Sequence, residues 1–150
     1  RGNLLAAIEI WRELGNLPLL AESYARLGFL GVYIGNYAEA LASGEEGFRI
    51  AQQSKNVEAQ AITRTLASFI LVDTGELQRG LDVMHEAVEL GHKGQVVTSI
   101  GFSQAELGLT YFWLGKPLAE CAAMVSEAAE WMDAAIPRFS VFALAPLAAL

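Results

Sequence analysis

Three short segments, each centred on a glycine, recur at intervals of forty residues: YIGNYAEAL around Gly35, VDTGELQRGL around Gly75 and FWLGKPLAEC around Gly115. Each is preceded by an apolar-rich segment and followed by another with helical spacing. A fixed period of this length is the mark of stacked two-helix units, because one unit alone cannot bury its apolar face. RGNLLAAIEI at the start looks like the same junction entered halfway, with Gly2 in the place of Gly35. The pattern predicts eight helices, over 4–14, 19–34, 37–52, 57–73, 77–90, 95–114, 118–134 and from 139 onward. Between them stand Gly15-Asn16, Gly35-Asn36, Ser54-Lys55-Asn56, Gly75-Glu76, Gly91-His92, Gly115-Lys116 and Pro137, residues suited to leaving a helix. Strand alternation is absent over any useful length, so the expected fold class is all-α.

Leu27 to Ala51 carries glycines at 28, 31, 35, 44 and 47 in a stretch that otherwise reads as amphipathic helix. A phosphate-cradling loop would need its glycines in one turn between strand and helix, with a lysine or acidic partner at a defined distance. No strand run precedes Leu27, and no lysine follows before Lys55. The glycines are instead expected where helices meet closely: Gly28 on one helix, with Ala40, Gly44 and Gly47 offering a small face on the next. Close contact must then offset about 0.8–1 kcal/mol of helix propensity lost at each interior glycine.

Composition narrows the function. The chain is 53% hydrophobic against 18% charged, which excludes disorder, and 150 residues make one domain with a sizeable core. Ten lysines and arginines, scattered in a chain of net charge -7, argue against a nucleic-acid surface and against anionic membrane. The single cysteine, Cys121, sits among small apolar neighbours and reads as an inert core thiol. No signal peptide or bilayer-spanning run is evident, so a cytoplasmic location is expected. The start at Arg1 and the apolar last letters suggest a fragment of a longer protein.

With Leu27, Gly28, Gly35, Tyr37 and Ala40, the unit at 17–55 resembles a tetratricopeptide repeat, whose pattern pairs Leu-Gly in the first helix with Gly-x-Tyr-x-x-Ala at the turn. The unit at 94–136 matches with Leu107, Gly108, Tyr111 and Gly115, then departs where Pro117 and Glu120 replace the expected aromatic and small residue. The unit at 56–93 keeps Ala67, Gly75, Leu77, Gly80 and Ala87, and partial units fill 1–16 and 137–150. The family's usual period is about 34 residues; the longer form here resembles repeats of large bacterial multi-domain signalling and transcriptional regulatory proteins. The resemblance implies a right-handed superhelix of antiparallel helix hairpins. It also implies a function: a non-catalytic scaffold for protein or peptide, acting with further repeats or signalling modules of the same polypeptide. The alternative it leaves open is a small-molecule sensor domain of such a regulator.

In that family the first helix of each pair lines the concave face. The implied groove residues are Glu22, Ala25, Phe29, Val32 and Tyr33, then Ile62, Thr65, Phe69, Val72 and Asp73, then Phe102, Ala105, Leu109, Phe112 and Trp113. Their steps of three and four residues place each set on one stripe of its helix. Such aromatics can anchor a peptide, although aromatics at helical spacing are most often core. The Lys and Asn clamp by which some members hold acidic C-terminal tails is absent, and the net charge would repel those tails.

Other constellations are weaker. His85, Glu89 and His92 could share a helix face, yet no fourth metal ligand is evident and solvated side chains are the expected reading. Ser99, Ser103 and Ser126 have no evident histidine partner, and Glu45-Glu46 and Glu127 with Glu130 read as wet faces. No enzyme activity and no cofactor are expected. The apolar end, around Phe139, Phe142 and Leu147, is expected to pack on further repeats or on a second copy.

Overall fold

The computed structural model describes residues 1–149, apart from the side chains of Phe139, Phe142, Pro146, Leu147 and Ala149. They form α1 (Gly2–Glu13), α2 (Leu17–Tyr33), α3 (Tyr37–Ser54), α4 (Val57–Asp73), α5 (Leu77–Gly94), α6 (Val97–Trp113), α7 (Leu118–Ala135) and α8 (Val141–Ala149), with a 3-10 turn at Pro137–Phe139. Among the described residues there is no strand, and the fold class is all-α. The apolar patch expected at Phe139, Phe142 and Leu147 lies outside the described side chains.

Helices pack in chain order. The dominant pairs are the hairpins α2/α3, α4/α5 and α6/α7, and the first helices α2, α4, α6 and α8 also touch one another in succession. The second helices α3, α5 and α7 pack chiefly on their own partner and on the next first helix. The result is a layer of first helices backed by a layer of second helices.

The forty-residue period has a backbone cause. At Gly35 the chain enters the left-handed region (φ 74), which only glycine adopts without strain. There the Gly35 N–H donates to the Val32 carbonyl at 3.0 Å and the Asn36 N–H to the Gly31 carbonyl at 2.9 Å. This pair of bonds satisfies two carbonyls at the helix end and turns the chain back. The same pair forms at Gly15, Gly75 and Gly115. Gly15 belongs to the return turns, and the two later return turns place Lys55 (φ 54) and Gln95 (φ 56) in the same left-handed conformation at the same forty-residue interval. Asn56 then caps α4, its Oδ1 accepting from the Ala59 N–H at 2.8 Å.

One expected junction is corrected. The helix does not end at Gly91-His92 but continues to Gly94, and Gln95 makes the exit. Gly91 is a contact residue: a Cβ there would lie 2.7 Å from Ile100 Cγ1 of α6. A glycine at a seam and a glycine at a turn look alike in sequence.

The hairpin seams are built from residues with little or no side chain. A Cβ on Gly28 would meet the Ala40 carbonyl oxygen at 2.6 Å and the Gly44 nitrogen at 3.0 Å, and one on Gly47 would meet the Ala21 carbonyl at 2.8 Å. At Gly108 it would meet Val125 Cγ2 at 2.5 Å and the Cys121 carbonyl at 2.9 Å, while Gly80 sits on Val72 and Gly101 on Met132. Leu27, Ala40, Ala87, Leu107 and Cys121 are buried beside these contacts, whereas Tyr37 is half exposed at its turn. Across the back layer, the Arg64 guanidinium lies 3.4 Å over the Phe48 ring, with its Nε 2.7 Å from Glu86 Oε2, tying α4 to α3 and α5.

The seams rank three substitutions. Gly28→Leu and Gly108→Leu are expected to destabilise the chain by about 3 kcal/mol in urea unfolding, since backbone atoms at the contact cannot rotate away. Gly44→Ala brings its Cβ to the far end of Ile70, at 3.3 Å from Cδ1, with Ala67 at an ordinary contact distance of 3.8 Å. Its gain of about 0.8–1 kcal/mol in helix propensity is expected to leave stability near the wild-type value. Equal midpoints for all three would show that the seams are not close contacts.

Candidate functional site: an aromatic and acidic cleft on the first helices

Because glycine and alanine occupy the seam face of α2, its bulky residues fall elsewhere on the helix. Phe29 follows Gly28 by one position, a rotation of about 100°, which aims it at α4 instead of α3. Phe29 and Tyr33 of α2, Leu66, Phe69 and Asp73 of α4, and Phe102, Ala105 and Glu106 of α6 surround a half-open cleft of about 430 Å³. The Phe29 ring meets Tyr33 edge-on at 5.2 Å between centroids and Phe69 at 6.0 Å. Tyr33 is 71% exposed at the rim.

Two carboxylates complete the wall. Asp73 stands at the exposed end of α4, and loss of solvent raises its pKa above the ordinary aspartate value. Glu106 is half-buried, and its pKa is raised first by burial and then by the charge of Asp73. Neither forms an ion pair with a lysine or arginine among the described residues. A second, smaller hollow of about 230 Å³ shares Leu66 and Phe102 with the cleft and is completed by Arg26, Ile62, Thr65, Thr98 and Ser99. Nearby, Thr65 Oγ1 and Ser103 Oγ lie 3.3 Å apart and link α4 to α6.

The expected groove residues divide. Phe29, Tyr33, Phe69, Asp73, Phe102 and Ala105 come together in the cleft, and Ile62 and Thr65 in the hollow beside it. Glu22 is partly buried and paired with Arg26 at 3.1 Å. Ala25, Val32 and Val72 are corrected to the core: Val32 packs with Ala40 and Ile70, and Val72 with Leu81, Met84 and Leu107. Leu109 and Phe112 are half-buried and Trp113 is 61% exposed, and none of them lines the cleft. The period would place Leu109 and Trp113 level with Phe69 and Asp73, but the cleft meets α6 about two turns earlier, at Phe102 and Glu106. It crosses the helices obliquely.

Leu66 and Glu106 were not foreseen. Glu106 had a signal, being the one charged residue in the seventeen of α6. The histidines point to separate neighbours: His85 Nε2 lies 2.8 Å from the Tyr111 hydroxyl, and the His92 ring packs 6.3 Å from Trp131. Among the described residues no group of three or more His, Cys, Asp or Glu is placed to hold a metal ion. No described helix is long and apolar enough to cross a membrane.

No protein-family model matches this chain, and no curated protein matches it either.

The raised carboxylates give a pH prediction. A folded-state pKa above the unfolded value means that the native state holds the proton more tightly, so stability is lost as pH rises through the folded pKa. The cost is present at neutral pH and vanishes as pH falls below the ordinary carboxylate range. Glu106→Gln is therefore expected to raise the melting temperature at pH 7 and to lose that advantage at pH 4. An equal difference at both pH values would show that Glu106 is not strained in its ionised form.

Proposed function

We propose that this chain is a non-catalytic binding scaffold, a tetratricopeptide-like right-handed solenoid that holds a protein or peptide segment along its first helices. The observation that carries the reading is the cleft itself, to which three successive first helices each contribute a phenylalanine: Phe29, Phe69 and Phe102. The neighbouring hollow on the same helices shares two walls with it, so a surface extends beyond one compact ligand and suits a chain-like occupant. Aromatic anchors in a partly desolvated groove supply most of the energy in such contacts. In this reading the parent is a cytoplasmic, bacterial-type regulatory protein in which further repeats or signalling modules flank the chain.

A second reading, a small-molecule sensor, draws support from the cleft's volume of about 430 Å³, within the range of metabolite sites. The two separate in one experiment. A Phe29→Ala, Phe69→Ala variant of the full-length protein, shown by circular dichroism to be folded, is compared with wild type for protein partners retained on a column. Native mass spectrometry of both reports any small molecule carried through purification. Loss of a protein partner by about tenfold or more supports the scaffold. Unchanged partners together with a small molecule bound only to wild type would replace it with the sensor.

A further inference from the structure

Aromatic walls closed by two carboxylates without a cation define a chemistry. We propose that the cleft receives the lysine or arginine side chain of a basic peptide, its methylene stem along Phe29, Phe69 and Phe102 and its charged head at Asp73 and Glu106. This rests on the chain-binding reading above and names the partner's character.

Each wall selects for that group. The faces of aromatic rings attract cations, and a long basic side chain has an apolar stem to cover them. Asp73 and Glu106 supply negative charge in the same cleft, and none of the described lysines or arginines neutralises either. Arg26, which lines the adjoining hollow, is engaged by Glu22 at 3.1 Å. A neutral apolar occupant would strip more water from Glu106 without offering it a partner, which is costly. An acidic occupant would meet two like charges. The chain's net charge of -7 favours approach of a basic partner over any other.

The test uses the 150-residue chain. Fluorescein-labelled octapeptides of glycine and alanine carrying two lysines, two glutamates or no charge are titrated by fluorescence polarisation, and butylammonium chloride is titrated against the same protein by NMR. The lysine peptide is expected to bind at least about tenfold tighter than the other two. Asp73→Asn with Glu106→Gln is expected to weaken it about tenfold or more, and Phe69→Ala to weaken it as well. Glu127→Gln with Glu130→Gln, on exposed positions of α7, changes the net charge equally and is expected to alter affinity less than about twofold. Equal weakening by the two acidic pairs would reduce the effect to overall charge and overturn the proposal. Equal, Phe69-dependent binding of the neutral peptide would also overturn it, while leaving the chain-binding reading intact. Binding of butylammonium in the cleft with no peptide bound would overturn the chain-like occupant and with it the scaffold. The acidic-pair variant keeps the test open should Phe69→Ala fail to fold.

Discussion

Everything in this molecule follows from helices that touch backbone to backbone. At Gly28 the approach of α2 to Ala40 and Gly44 leaves no room for a single carbon, and Gly108 repeats the arrangement two units later. Small residues at the seams lose helix propensity but gain dispersion contacts over the whole hairpin length. They also have an indirect effect. Since glycine and alanine hold the closest points of the seams, Phe29 of α2 reaches Phe69 of α4, and Phe102 of α6 lines the same cleft.

The parts of the fold legible in the sequence are those fixed by local chemistry. A left-handed turn favours glycine, so Gly35, Gly75 and Gly115 marked three junctions and, with them, the hairpins. Gly91 misled because the contact that requires it, Ile100, lies on the next helix and leaves no local mark. The return turn at Gln95 was hidden for the opposite reason: a residue with an ordinary side chain holds the left-handed conformation there.

The cleft was legible only in part. Copying groove positions from unit to unit assumes that each first helix presents equivalent residues, and this is right for Phe29 and Phe69. On α6 it holds only for Phe102 and Ala105, since the oblique course of the cleft takes in Glu106 and leaves out Leu109, Phe112 and Trp113. Helical spacing fixes which residues share a face, but the angle between helices decides which part of the face a cavity meets. Val32 and Val72 show the same limit, since a stripe broad enough to include them also reaches the seam. The carboxylates are a further departure from what stability alone would select: half-buried Glu106 beside Asp73 is a local conflict, and such conflicts cluster where a surface is kept for a partner.

Each second helix backs its own hairpin and the next first helix, and the cleft takes each of its walls from a different hairpin. Its width therefore depends on the spacing of three separately closed units, as the gap between fingers depends on the hand. An occupant that touches Phe29, Phe69 and Phe102 at once resists any bending that spreads α2, α4 and α6. Reciprocally, any change in the spacing of α2, α4 and α6 changes the distance between those rings, so the width of the cleft and the packing of the hairpins are coupled.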